Sequence, residues 1–480
     1  MLNELSALQL KSLLDKREVS NREIIQAIIK RIETVESSVG AFITLRNTED
    51  LLAEADAFDK CRSRGELLGP LSGLPIAIKD NICTAGLRTT CASKMLETYV
   101  PPYDATVVAR IRQSGGIILG KTNMDEFAMG SSTENSAFKI TRNPHNLEYV
   151  PGGTSGGSAA AVAAHETILA IGSDTGGSVR LPASYCGVVG LKPTYGRVSR
   201  YGLVGYGSSL DQIGTLTKTV ADTNMLFSII AGHDQLDSTS IVDRVIPERS
   251  YQQKAVVGLP KEYFTEGVDK EVRQAAERAA KVLESSGCGV KTISLPHTQY
   301  AVPVYYIIAS AEASSNLARF SGLLYGYRSP EYKGLRELIR KSRSEGFGPE
   351  VRRRILLGTF VLSAGYYEAY YTKANKVRTL IRNDFDNAFE KCDVILSPVA
   401  PTPAFKIGEK AADPLQMYLV DIFSVTANLT GLPAISVPTG VSKVGLPLSV
   451  QLTGRRFSEE LLLRLAHVIE EGWTSQTLVR

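Results

Sequence analysis

Cysteine is scarce and unpaired in this sequence. The six cysteines (Cys61, Cys83, Cys91, Cys186, Cys288, Cys392) are scattered over 480 residues, and none forms a C-x-x-C pair. A chain of this length buries enough core to do without disulfides, so reduced thiols are expected. The five histidines (His145, His165, His233, His297, His467) are equally dispersed. No H-x-x-x-H or similar ligand spacing occurs, so no protein-bound metal is expected. No apolar run approaches the ~18 residues that a membrane span requires. The start, Met1-Leu2-Asn3-Glu4-Leu5, lacks the basic and apolar stretches of a signal peptide. These absences predict a cytoplasmic protein without membrane contact. Charge of one sign is missing too: 54 Lys and Arg face 50 Asp and Glu. A net charge of +4 on so large a surface gives no ground for nucleic-acid binding by charge alone. Repeats, low-complexity tracts and Pro- or Ser-rich linkers are absent as well.

Length alone allows roughly three domains, but nothing in the chain divides it. The sequence predicts one large α/β domain over 1–480, a mixed β-sheet covered by helices on both faces. The first 60 residues read as helical. Ser20 followed by Glu23 is a capping-box pattern, and Ile24, Ile28 and Ile32, with Ile25 and Ile29, form an apolar stripe at helical spacing. Leu74-Pro75-Ile76-Ala77-Ile78 reads as a buried strand ending at Lys79-Asp80-Asn81. Residues 105–113 read as a helix stopped by Ser114-Gly115-Gly116, followed by the strand Ile117-Ile118-Leu119. Further on, 269–284, 302–322, 351–383 and 458–471 read as helices. Asp393-Val394-Ile395-Leu396 and Ala434-Ile435-Ser436-Val437 read as strands.

Glycine is concentrated between 151 and 216, which holds 14 of the chain's 41 glycines. Such density costs backbone entropy and needs a reason. A flexible linker does not fit, because the glycines alternate with helix and strand signals at 158–165 and 168–171. A Gly- and Ser-rich catalytic core over about 70–216 is therefore expected.

Three segments could carry chemistry. Gly115-Gly116-Ile117-Ile118-Leu119-Gly120-Lys121-Thr122 fits the pattern of a phosphate-binding loop, which would make the chain an ATP-binding protein using Lys121. However, a helix precedes the motif, and Ile-Ile-Leu prefers an extended strand over a loop curled round phosphate. Gly153-Thr154-Ser155-Gly156-Gly157 fits the nucleophile elbow of an esterase using Ser155. Pro151-Gly152 stands where that elbow needs a strand, and neither His297 nor His467 has the signature of its base. The third segment, Gly172-Ser173-Asp174-Thr175-Gly176-Gly177-Ser178-Val179-Arg180, follows a strand directly. Its tight bend could present the Ser178 hydroxyl while the N–H groups of Thr175, Gly176, Gly177 and Ser178 converge on an oxyanion. A plain glycine turn satisfies the same local pattern. A serine nucleophile also needs a base. Lys79, at the end of an apolar strand, would serve if burial keeps its amine neutral; a solvated lysine or a pair with Asp80 is the simpler alternative.

Taken together, Gly73-Leu74-Pro75-Ile76-Ala77-Ile78-Lys79-Asp80, Pro151-Gly152-Gly153-Thr154-Ser155-Gly156-Gly157-Ser158, the 172–180 segment and Cys186-Gly187-Val188-Val189-Gly190-Leu191-Lys192-Pro193-Thr194 resemble the amidase signature family. The resemblance implies the amidase signature fold and a Ser–Ser–Lys triad. In it Ser178 is the nucleophile, Lys79 the base and the residue at 154, on a cis peptide bond, the proton relay. Here that residue is Thr154, a departure from the family's serine that keeps the hydroxyl but restricts χ1. Glu126-Phe127-Ala128-Met129-Gly130-Ser131-Ser132, Tyr305-Tyr306-Ile307-Ile308 and Arg354-Ile355-Leu356-Leu357-Gly358 are similar to family members that hydrolyse glutamine within tRNA-dependent amidotransferases. That similarity implies Arg354 for the substrate carboxylate, Asp421 for its ammonium, and Tyr305 and Met129 lining the pocket. It also implies two partner proteins, a larger one that binds ATP, Mg²⁺ and tRNA and a small one that wraps the pair. Ammonia would pass to the larger partner for converting glutamyl-tRNA(Gln) to glutaminyl-tRNA(Gln). This chain itself would hold no cofactor and reach tRNA mainly through the partner. A stand-alone amidase acting on another amide would carry the same triad. Arg352-Arg353-Arg354 reads by itself as part of a solvated basic face over 333–354. Asp421 reads as a lone carboxylate in an apolar helix, costly unless paired.

Overall fold

The computed structural model describes residues 1–242, 254–410 and 413–477, the last four by backbone alone. Eleven strands form one sheet: β1 (Phe42–Leu45), β2 (Pro75–Lys79), β3 (Ile117–Thr122), β4 (Leu169–Asp174), β5 (Val189–Lys192), β6 (Gln212–Thr217), β7 (Val256–Pro260), β8 (Gly289–Ile293), β9 (Val394–Pro398), β10 (Ala434–Val441) and β11 (Pro447–Gly454). Their spatial order is β1-β3-β2-β4-β6-β5-β10-β11-β9-β7-β8. The sheet is mixed: β2 runs parallel to β3 and β4, β7 parallel to β8 and β9, and the remaining pairs are antiparallel. Every residue of β2, β3, β4, β6, β9 and β11 is buried, although successive side chains point to opposite faces. Both faces of those strands are therefore covered.

The N-terminal helix Asn21–Val39 begins on the expected capping box: Ser20 Oγ accepts from Glu23 N–H, and Glu23 Oε2 accepts from Ser20 N–H at 2.8 Å. It ends at Gly40, whose φ of 67° an L side chain would resist. Ile24, Ile25, Ile28 and Ile32 are buried, each stabilising the fold by roughly 1.5–3 kcal/mol. The first 60 residues are not wholly helical, because β1 lies among them and closes one sheet edge. The stretch 351–383 is also interrupted. Its first helix, Pro349–Val361, ends before a turn, a short π-helical segment (Glu368–Thr372) and a second helix, Lys373–Phe389.

The core has two main parts. One packs the sheet against its helices; the other gathers around the helix Ala301–Asn316 and contains Met129, Tyr206, Tyr305 and Tyr306. Between them lie the carboxyl ends of β2 and β4. Their parallel register (Ile76 with Leu169, Ile78 with Ile171) brings Lys79 and Ser173–Asp174 to one end of the sheet, where α/β sheets usually place their chemistry.

Candidate active site

Lys79 is the last residue of β2 and is wholly buried. Its Nζ donates to Thr154 Oγ1 at 2.6 Å, Ser155 Oγ at 2.9 Å and Ser173 O at 3.2 Å. Among the described residues it has no ion pair, so the expected alternative of a pair with Asp80 does not form; Asp80 instead faces Lys121. Burial pulls the Lys79 ammonium down to about 7, and the more distant carboxylates of Asp125, Asp174 and Asp211 oppose only part of that.

The two hydroxyls on Lys79 are not equivalent. Ser155 Oγ is tied to the end of β4: it donates to Ser173 O at 3.1 Å and accepts from Ser173 N–H at 3.3 Å. Ser155 thus joins the lysine's surroundings. It is fully buried, which removes the esterase reading. Thr154 follows a cis peptide bond from Gly153 and is buried too. The Ser155 N–H donates to Ser178 O at 3.0 Å, stitching the 153–156 loop to the turn after β4. Ser178 retains 7% exposure, whereas Lys79, Thr154 and Ser155 have none.

That turn is held from behind by a carboxylate that sequence reasoning passes over. Asp174 accepts from Gly177 N–H (2.8 Å), Val179 N–H (3.1 Å), Arg180 Nε (3.0 Å) and Asn428 Nδ2 (2.9 Å). The buried Arg180 guanidinium also reaches Gln451 Oε1 and Asn428 Oδ1. Despite burial, the Arg180 charge holds the Asp174 carboxyl far below its ordinary range. Gly177 N–H is engaged by Asp174 and is not free for an oxyanion, so of the four N–H groups expected there, those of Thr175, Gly176 and Ser178 are left as candidates. Thr175 is fixed through its hydroxyl, which donates to Asp211 at 2.6 Å. Glycine is required at two positions here. A Cβ on Gly176 would meet the Tyr305 ring, and one on Gly177, at φ 132°, would meet Ser424 Oγ.

Arg354 is buried at 2% exposure, while Arg352 and Arg353 face solvent. The solvated-face reading therefore fails at this residue, and Arg343 too is half-buried, with Nη1 on Leu317 O and Phe320 O. Arg354 Nε donates to Glu350 at 2.7 Å and Nη1 to Tyr206 OH at 2.6 Å. Its guanidinium lies 4.9 Å from the Tyr306 ring centroid and 5.3 Å from that of Tyr418. Its Nη2 is buried without a partner. Asp421 sits not in a helix but on the turn between Pro414–Leu419 and Val425–Thr430. Its Oδ2 accepts from Ser131 Oγ (2.7 Å) and Tyr306 OH (3.2 Å), while Oδ1 faces Gly177. Burial raises its carboxyl to about 7 against the pull of Ser131 and Arg354. Tyr306 thus links the two charges: its hydroxyl meets Asp421 and its ring lies against Arg354. Tyr305 stands edge-on to Tyr306, and Met129 is buried in the same cluster. Tyr206, Tyr306 and Tyr418 receive no role from the sequence because aromatic residues in an apolar stripe look like core, and Ser131 receives none because its partner Asp421 lies 290 residues away.

Lys121 is not at this site. It is wholly buried on β3, donates to Ile82 O and Thr89 Oγ1, and cannot reach a phosphate. His297 pairs with Asp384, and His467 sits exposed beside Glu470 and Glu471, so neither is a base for Ser155.

A buried lysine on two hydroxyls, beside a serine on a glycine turn, defines an amide- or ester-cleaving class of site. The family model described as "Amidase" matches residues 23–463, and this chain belongs to that family. It is 57% identical to the A subunit of glutamyl-tRNA(Gln) amidotransferase from Moorella thermoacetica over 98% of this chain and 96% of that one. It is also 57% identical to the protein of the same name from Thermodesulfovibrio yellowstonii, over 98% of each. The crystal structure of the same amidotransferase component from Thermotoga maritima superposes with a TM-score of 0.81 at 45% identity, covering 98% of this chain and 95% of that one.

Proposed function

We propose that this chain is the glutamine-hydrolysing component of a glutamyl-tRNA(Gln) amidotransferase. The observation that carries the mechanism is Lys79: fully buried, without a carboxylate partner among the described residues, with its amine on Thr154 and Ser155. An amine held near neutrality can accept a proton at physiological pH. Ser155 is engaged by the β4 backbone, so Thr154 is the hydroxyl left to relay. Ser178 passes its proton through Thr154 to Lys79 while its Oγ attacks the side-chain amide carbon of glutamine. The oxyanion is stabilised by Thr175, Gly176 and Ser178 N–H groups, each worth roughly 3–4 kcal/mol in such sites. The relay returns the proton to the departing nitrogen, and the C–N bond breaks to release ammonia. Water then attacks the ester, leaving glutamate and free Ser178.

Substrate choice follows from the charges. The unpartnered Arg354 Nη2 suits an α-carboxylate, and the Asp421 carboxylate, ionised by a nearby cation, suits an α-ammonium. Tyr305 and Met129 wall the space between. A free amino acid fits this pair better than a simple amide, which favours glutamine over the substrate of a stand-alone amidase. The near-identity in length and the 57% identity to chains named as components of an amidotransferase support assembly with partners. The larger partner would use ATP and Mg²⁺ and hold the tRNA, and a small one would wrap the pair; this chain would need no cofactor of its own. The test is ammonia release from glutamine by the full chain with its partners. Glutamate and ammonia should appear in equal amounts and vanish in Ser178→Ala. Hydrolysis that survives Ser178→Ala would overturn the reading.

A further inference from the structure

Away from the glutamine site, three arginines converge on one cleft. The cleft has a volume of about 550 Å³ and lies between the helix Lys373–Phe389, the turn after Val425–Thr430 and the loop after β11. Arg378, Arg382 and Arg456 line it, and Arg382 and Arg456 continue into an adjoining recess of about 260 Å³. Arg378 is spent on neutral oxygens: Nε on Leu429 O at 2.7 Å and the two terminal nitrogens on Ser209 Oγ and O. Arg456 donates to Thr430 O at 3.0 Å. Among the described residues, Arg382 makes no hydrogen bond or ion pair.

Among the described residues, no carboxylate lines the larger cavity, and Asp386 is the one carboxylate lining the recess. Glu312, whose Oε2 accepts from Ser209 N–H at 2.9 Å, offsets part of the cost of burying Arg378, but it does not line the cavity and leaves Arg382 and Arg456 without a carboxylate partner among the described residues. Three guanidinium groups held round a concave space repel one another. Burial and the charge of Arg382 both make the Arg378 cation harder to hold. A bound anion relieves that repulsion. Guanidinium forks match the oxygens of a phosphate in geometry as well as charge, and the hydroxyl of Thr379 stands beside them on the same helix.

We propose that this cleft binds a phosphate group, with Arg382 and Arg456 as its direct donors and Arg378 as the fixed wall behind them. The phosphate is that of a small molecule or of an RNA strand, two sources of one chemistry. The site is independent of glutamine hydrolysis and stands or falls without it.

The probe is inorganic phosphate, titrated into the full-length chain by calorimetry at ionic strength held constant with chloride. Saturable binding is expected, weakened about tenfold by Arg382→Ala or Arg456→Ala and lost in the double variant. Arg382→Lys should retain part of it. Both arginines are exposed, and an unchanged melting temperature checks that the variants fold. Competition by adenosine monophosphate, matched by inorganic phosphate, identifies a small-molecule site; competition by a five-nucleotide RNA with higher affinity identifies a strand. Absence of saturable phosphate binding, or binding that the double variant keeps, overturns the proposal.

Discussion

A lysine without water and without a carboxylate partner holds its proton weakly. Lys79 is in that position, and its amine lies near pH 7 rather than 10.5. Two consequences follow. The kcat/KM for glutamine should rise about tenfold per pH unit below 7 and level off above it. A profile flat from pH 5.5 to 8 would contradict this. The second consequence is thermodynamic. Between pH 7 and 10.5 the unfolded chain keeps this proton and the folded chain does not, so stability from this residue rises with pH across that window. Lys79→Met should therefore abolish activity, remove that slope, and leave the melting temperature at pH 7 no lower than wild type. The relay makes a sharper prediction. Thr154→Ser should retain hydrolysis, while Thr154→Val, similar in shape but without the hydroxyl, should lose about 10²–10⁴-fold in kcat. Ser155→Ala should cost less, since Ser155 serves the β4 backbone. Equal losses at 154 and 155 would reassign the relay.

At the scale of elements, two helices carry the substrate pocket. Ala301–Asn316 brings Tyr305 and Tyr306, and Pro349–Val361 brings Arg354. Gly358 lets them touch, because a Cβ there would strike the backbone carbonyl of Ser310. Gly358→Ala should push the helices apart, lowering stability by about 1–3 kcal/mol and raising the KM for glutamine more than it lowers kcat. Arg354→Met should cost about 2–5 kcal/mol in kcat/KM, partly because Glu350 and the tyrosines lose their cation; the lost term should appear mainly in KM.

The same elements show how far a sequence can be read. Lys79 and Ser178 stand out as a lysine ending an apolar strand and a serine on a glycine turn, but a solvated lysine and a plain turn fit those patterns too, and only the family resemblance singles out Thr154. Asp421 reads as helical because its neighbours are apolar at helical spacing; the chain turns there to aim the carboxylate at Gly177. Arg354 looks solvated because Arg352 and Arg353 are. The step of about 100° from one helical residue to the next turns it inward, and only the packed tyrosines reveal that. Asp174 and Arg180 lie within a recognisable motif, but their anchors Asn428 and Gln451 come from about 250 residues away, a contact no local pattern records.

For the whole molecule, the fold places one end of the parallel strand pair between two cores, and the chemistry gathers there. The mixed sheet and its covered faces are readable from buried strands alternating with amphipathic helices; the order of eleven strands is not, since β1 and β5 are short and the order depends on distant pairings. A chain that supplies ammonia to a partner should hydrolyse glutamine without metal. Chelation of divalent cations should leave hydrolysis by this chain unchanged while stopping ATP-dependent amidation by the assembled complex. Loss of both on chelation would place a metal in the hydrolytic step.

Hydrolysis by this site turns on which oxygen bonds to the substrate carbon. Treating the full chain with a glutamine-like electrophile and locating the adduct by peptide mass spectrometry reads that directly. The predicted result is a single adduct on Ser178, formed faster above pH 7 and absent in Lys79→Met. An adduct on Ser155, or labelling of Ser178 that ignores both pH and Lys79, would contradict it.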